Sequence, residues 1–123
     1  MINYLPGDVL VRSKFGFFDH FGIVIGHDRV LHNAPGKGEH ISSIKEFSAR
    51  QGIRVQPANV DRGTVLANAR RIIGDLKEYD LINRNCEHTA YESIEGKARS
   101  PQLVAVLGFL LFVLLMWLVS RAK

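Results

Sequence analysis

A chain of 123 residues has room for one domain and little else, which excludes multidomain architectures. Apolar residues make up 46% of it, but much of the excess lies after Leu103, and the roughly hundred residues before that suffice for one modest core. The net charge of +4 comes from scattered basic residues without the stripe, interleaved aromatics or module that nucleic-acid binding needs, so no nucleic-acid partner is expected; attraction to anionic lipid headgroups suits the charge better.

The single cysteine excludes an internal disulfide and fits a reducing compartment. Met1 to Asp8 lacks the basic and apolar regions of a cleavable signal. Pro6-Gly7-Asp8 reads as a turn into a short strand, Val9-Leu10-Val11. Lys14 to Asp19 is an unusual loop with three phenylalanines, Phe15, Phe17 and Phe18. Two readings of it stand level: rings folded back onto the core, or rings facing a bilayer or an acyl groove. His20 to Gly26 is the clearest strand, β-branched and bounded by glycine. After the turn His27-Asp28, Arg29 to His32 resumes as its hairpin partner. Such a hairpin brings His20 and His32 to the same end of the sheet.

Asn33 to Glu39 reads as a loop. Ile41 to Phe47 is ambiguous; a short strand and a helical turn both fit it. Ile53-Arg54-Val55 is another short strand, ended by Pro57. Arg62 to Asp75 is the best amphipathic helix, with Val65, Leu66, Ala69, Ile72 and Ile73 at helical spacing. Tyr79 to Ile82 then leads into a short helix that carries Cys86 on its first turn. Asn85 is a favoured N-cap, and Gly96 closes the helix. Unpaired N–H groups and the helix dipole stabilise negative charge there, so the thiol is expected to ionise more readily than a free cysteine. The plain alternative is a small buried hydrophobe.

Leu103 to Val119 differs in kind: seventeen residues without a charge or a proline. As a helix they span roughly 26 Å at about 1.5 Å per residue, against about 30 Å of bilayer hydrocarbon. The segment is apolar all round, and Arg99, Arg121 and Lys123 flank it, with Trp117 suited to a headgroup boundary. It reads as a single-pass membrane anchor, with a catalytic domain at 1–98, a short tether at 99–102 and a short basic tail at 120–123.

Cys86, His20 and His32 together make a cysteine-nucleophile set. A thiol needs a base, the base needs an orienting partner, and histidine can fill both roles. His27 and His40 fall in predicted turns and are expected to be solvated. His88 follows Cys86 by two residues, points elsewhere on a helix, and reads as structural. A zinc site from Cys86, His20, His32 and His88 is allowed by ligand type, but paired-ligand spacing is missing, so no metal and no cofactor are expected.

The order Gly7-Asp8, His20-x-Gly-Ile-x-x-Gly26, Val30-x-His32 and Tyr79-x-Leu81-x-x-x-Asn85-Cys86-Glu87-His88 resembles the lecithin:retinol acyltransferase-like family. The phospholipase A/acyltransferase branch of small tail-anchored enzymes is the most similar part of it, and Ala98-Arg99-Ser100-Pro101-Gln102 resembles that branch too. The resemblance implies an α+β, circularly permuted papain-like fold with a small antiparallel sheet, two main helices and a C-terminal transmembrane helix. It implies Cys86 as nucleophile, His20 as general base and acid, and His32 as orienting third member. The implied reaction is transfer of an acyl group from a glycerophospholipid through a thioester. An apolar segment at the C-terminus is expected to insert after synthesis, which leaves the catalytic domain on the cytoplasmic side of the membrane. Acceptor, positional preference and oligomeric state stay open. Phe21, Val24 and Thr89 depart from the tryptophan, tyrosine and phenylalanine common in the family. Two other readings compete: a permuted papain-like cysteine peptidase or amidase, and a non-enzymatic membrane adaptor. The apolar tail and aromatic loop favour lipid over peptide, and the intact Cys/His/His set argues against the adaptor.

Overall fold

A computed structural model describes residues 3–14, 16–56 and 60–122. Phe15 of the aromatic loop, Pro57 and Lys123 lie outside the described residues. A five-stranded antiparallel sheet is the frame, with β1 (Val9–Lys14), β2 (Phe18–Gly26), β3 (Arg29–Ala34), β4 (Gly38–Ser42) and β5 (Ile53–Gln56) in the order β4-β3-β2-β1-β5. Helices α2 (Arg62–Ile73) and α3 (Cys86–Glu95) cover one face, where Val65, Ala69, Ile72 and Ala90 meet Val9, Val11, Phe21, Ile23 and Leu31. The short α1 (Ile44–Ser48) covers the other, its Phe47 packed with Leu10, Val24 and Val30. Alternate residues of β1 and β2 thus feed two separate cores, as the period of two dictates. Together with α4 (Pro101–Arg121), this is the mixed α+β architecture expected from sequence.

Several boundaries move. Asn33 to Glu39 is not a loop: β3 runs to Ala34 and β4 begins at Gly38, so only a tight turn separates them. Asn33 and Glu39, opposite each other in the register, are both buried. His40 consequently stands on β4 opposite His32, with its ring 4.2 Å from that of His32, and not in a solvated turn. His27 is exposed, as expected. Ile41 to Phe47 contains both elements that fitted it, the end of β4 and most of α1.

The β2–β3 hairpin contains the feature on which the site depends. A regular two-residue turn at His27-Asp28 pairs Gly26 with Arg29, and would then pair Ile23 with His32, placing the two histidines on opposite faces. Instead Ile25 is skipped: Gly26 pairs with Arg29, but Val24 pairs with Val30 and Gly22 with His32. This bulge shifts the count by one residue, and a shift of one exchanges the faces. His32 therefore emerges beside His20, with Gly22 between them. A Cβ on Gly22 would collide with the Phe47 ring and with Val30; without one, Phe47 lies against both imidazoles, at ring distances of 5.4 Å from His20 and 5.2 Å from His32.

Helix α4 is apolar along most of its 21 residues, with mean hydropathy 2.8, and none of its residues is buried. It is the one helix among the described residues long and apolar enough to cross a membrane. It begins two residues before the apolar run, because Ser100 caps it and proline at the first helical position has no N–H to leave unpaired.

Candidate active site

Asn85 caps α3 as expected, accepting from the N–H groups of Glu87 and His88. His88 returns the favour: its Nδ1 accepts from the Asn85 N–H at 2.9 Å, a capping box with histidine in the place usually held by glutamate or glutamine. His88 is thus structural, and Cys86 is the first residue of the helix. Its sulfur lies 3.8 Å from the Asp19 carbonyl, at the end of β2. The Phe21 N–H and Lys14 draw the thiol pKa down, but burial outweighs them and pushes it above the ordinary value. Easier ionisation, expected from the helix terminus, is therefore not what the site produces. Cys86 is only 6% exposed, and desolvation penalises the thiolate more than the dipole helps it.

His20 and His32 are joined directly. His20 Nε2 lies 3.0 Å from His32 Nδ1, and His32 Nε2 lies 2.8 Å from Ser42 Oγ. Burial, aided by Arg12, pushes the His20 pKa down to about 2; burial and then His40 push that of His32 down to about 3. Both rings are neutral at physiological pH. His20 Nδ1 is buried and has no hydrogen-bond partner among the described residues. Cys86 and His20 approach the same end of β2, the cysteine against the Asp19 backbone and the histidine from the next residue. No hydrogen bond links their side chains among the described residues.

A second set of polar groups, invisible to motif reading, fixes the Asn85-Cys86 segment. Glu39, with a fully buried side chain, accepts from Arg84 Nε at 2.5 Å, from Thr89 Oγ1 at 2.9 Å and from the Lys77 N–H at 2.8 Å. Asn33 Nδ2 donates to the Arg84 carbonyl at 2.7 Å and to Thr89 Oγ1 at 3.2 Å. Arg84 also forks onto Glu92. Thr89, a departure from the family pattern, is here a working part of this network. An arginine just before Asn85-Cys86 was the one sequence signal, because Glu39 falls in a stretch that reads as a loop.

The start of α4 belongs to the same neighbourhood. Glu87 Oε1 accepts from Ser100 Oγ and from the Gln102 N–H, at 2.8 and 2.7 Å. The Gln102 side chain accepts from the Asp19 N–H and donates to the Asp19 carbonyl, at 2.8 and 3.1 Å. Beyond Gly22, β3 no longer pairs with β2, and Gln102 satisfies the Asp19 backbone in its stead. A cavity of about 300 Å³ opens here, lined by Cys86 with Lys14, Phe18, Tyr79, Leu81, Gln102, Leu103 and Val106. Phe17 is 91% exposed, so this ring of the aromatic loop does not fold back onto the core.

A buried cysteine at a capped helix start thus stands at the same end of β2 as a linked histidine pair, beside an apolar cavity. The chain belongs to the lecithin retinol acyltransferase family, whose model matches residues 3–99. Among curated proteins it is similar to human phospholipase A and acyltransferase 4, at 26% identity over 124 residues, covering 80% of this chain and 74% of that protein. It is also similar to rat phospholipase A and acyltransferase 5, at 26% over 125 residues, covering 83% of this chain but 42% of the relative. The mouse form of the latter is 26% identical over 121 residues, 44% of its length being covered.

Proposed function

We propose that this chain is a thiol acyltransferase and phospholipase A acting on glycerophospholipid esters. The family supports the class of reaction, as do the names of its relatives. The observation that carries the reading is the apolar cavity with Cys86 in its wall, bordered by Phe18, Tyr79, Leu81, Leu103 and Val106. It suits an acyl chain, and of the polar groups that also border it, Asp19, Asn85, Glu87, Ser100 and Gln102 are engaged with one another.

In this mechanism Cys86 Sγ attacks the ester carbonyl carbon while its proton passes to His20 Nδ1. The resting pair is neutral, with a thiol pKa above and an imidazole pKa below their usual values. Charge therefore develops only as the carbon–sulfur bond forms. The Cys86 N–H, which the Asn85 cap does not use, is the first donor for the tetrahedral oxyanion. His20 then protonates the departing lysophospholipid oxygen as the carbon–oxygen bond breaks, leaving a thioester. Water, an amine or a hydroxyl, deprotonated by His20, discharges it and restores the thiol. His32 holds His20 in orientation throughout.

The domain plan follows: residues 1–98 as catalytic domain, 99–102 as tether, 103–119 as membrane anchor and 120–123 as basic tail, with the catalytic domain in the cytoplasm. Incubation with a diacyl phospholipid carrying a labelled acyl chain tests the mechanism. A hydroxylamine-sensitive acyl label on Cys86 is expected; turnover of phospholipid with no such intermediate on quenched enzyme and no loss in Cys86→Ser refutes the thioester.

A further inference from the structure

The donor and acceptor capacities around the histidine pair fix where its protons sit. Ser42 Oγ donates to the Ser43 carbonyl at 2.9 Å. A carbonyl only accepts, so the single hydroxyl proton is committed there, and Ser42 Oγ meets His32 Nε2 as an acceptor. His32 Nε2 then carries the proton. In a neutral imidazole this leaves His32 Nδ1 bare, able only to accept at its 3.0 Å contact with His20 Nε2. His20 in turn holds its proton on Nε2, and its buried Nδ1 is a free lone pair without a hydrogen-bond partner among the described residues.

We infer that Ser42 is a positioning residue of this site: its hydroxyl sets the tautomer of His32, and through it that of His20, so that the His20 Nδ1 lone pair is the proton acceptor. The inference rests on the reading of His20 as base. The opposite assignment is costly at each link. With His32 protonated on Nδ1, His20 Nε2 becomes the acceptor, His20 Nδ1 carries the proton, and no base remains at the buried position. Ser42 would also have to release Ser43 and donate to His32. Doubly protonated His32 would reverse His20 as well, but burial holds His32 neutral at physiological pH. The ionisable groups around the pair are Arg12 and Lys14 on β1, His40 on β4, Lys37 before it and Glu46 on α1. Arg12 donates to the Phe47 carbonyl, Lys37 to Glu46, and His40 Nδ1 meets the Gly38 carbonyl. Ser42 itself is buried at the end of β4, where the start of α1 fixes it. A hydroxyl in a strand two residues from His40 would otherwise be an ordinary polar residue.

Two-bond 1H–15N correlation on the full chain, labelled at histidine nitrogen in detergent micelles at neutral pH, reads the tautomers directly. His32→Gln and His20→Gln variants assign the signals. His20 and His32 are both expected protonated at Nε2 and bare at Nδ1. In Ser42→Ala, His32 is expected to populate the other tautomer, and kcat on dispersed phospholipid to fall at least about tenfold, part of the ~10²–10⁴ that general-base catalysis supplies, with KM nearly unchanged. Ser42→Thr, which keeps the hydroxyl, is expected to restore both. Nδ1 protonation of either histidine in the wild type overturns the inference. So does a folded Ser42→Ala protein with the wild-type tautomers, or a folded Ser42→Thr protein as slow as the alanine variant. The wild-type spectrum decides by itself if the alanine variant fails to fold, and it does so whether or not phospholipid is the substrate.

Discussion

At the scale of single residues, Cys86 combines a helix start, which favours a thiolate, with burial, which opposes it more strongly. Alkylation of the resting protein by iodoacetamide is therefore expected to be slow at pH 7. Its rate should climb with pH, with an inflection above that of an exposed cysteine; an inflection at or below neutrality would show that the helix terminus wins. His20 and His32 are expected to differ in severity. In the proposed mechanism, His20→Ala removes the atom that takes the proton, while His32→Ala leaves an imidazole in place but loosely held. Loss of kcat should be larger in the former, on the order of the 10²–10⁴ expected of a general base, with substrate affinity little changed in both. Steady-state kinetics with dispersed phospholipid checks this, and equal turnover by His20→Ala and wild type at pH 7 would remove His20 from the mechanism. Arg84 presents a stability problem more than a catalytic one. Its removal leaves the fully buried Glu39 carboxylate with only a threonine hydroxyl and a backbone N–H. Arg84→Ala is expected to cost about 3–5 kcal/mol, measured as a lower urea midpoint.

Among the elements, the β2–β3 hairpin was legible in outline and opaque in detail. Its turn, its strands and the common end for two histidines follow from β-branched residues between glycines. Which face each histidine takes does not, because a bulge at Ile25 exchanges faces and nothing local marks it. The capped helix of Cys86 could be read from Asn85 and Gly96, since capping is chemistry between near neighbours. The Glu39, Asn33 and Thr89 network could not, because its partners lie some fifty residues apart and meet only after β4 pairs with β3. Burial of two neutral histidines in this hairpin also predicts a pH response. Their folded pKa values, about 2 and 3, lie below the 6.5 of the unfolded chain. Between those limits the unfolded state binds more protons, so stability is full above about pH 6.5 and declines as pH falls towards 3. Replacing both with glutamine should flatten that decline in chemical denaturation between pH 7 and 4. An unchanged slope would mean that the carboxylates dominate it.

On the scale of the whole molecule, the first turn of α4 is bonded to the sheet and to α3. Glu87 holds Ser100 and the Gln102 N–H, and Gln102 holds Asp19. A chain ending at Gln102 keeps these groups but loses Leu103 and Val106 from the cavity wall; it is expected to be soluble and to keep activity on short-chain or detergent-dispersed phospholipid at a higher KM. It should lose most activity on intact membranes, because the site is no longer held at high local lipid concentration. A chain ending at Arg99 strips a buried carboxylate of two donors and should be less stable by about 1–3 kcal/mol. Thermal melts and activity on both substrates separate the cases. Full activity of the Gln102 chain on cellular membranes would show that the tail does not deliver substrate.

Where β3 leaves β2, the vacant edge of the strand is occupied by the amide of Gln102, a residue of the apolar helix itself. In a bilayer a helix of this length, roughly 31 Å at 1.5 Å per residue, is a stiff lever whose inclination follows the thickness of the surrounding lipid. Its short arm ends on Asp19, whose carbonyl also touches Cys86 and whose neighbour is His20. An anchor hung on a loose cord would leave the chemistry indifferent to the sheet it is moored in. Under the proposed anchoring, this helix is tied directly to the strand beside Cys86, so a change in its inclination would reach the Asp19 backbone.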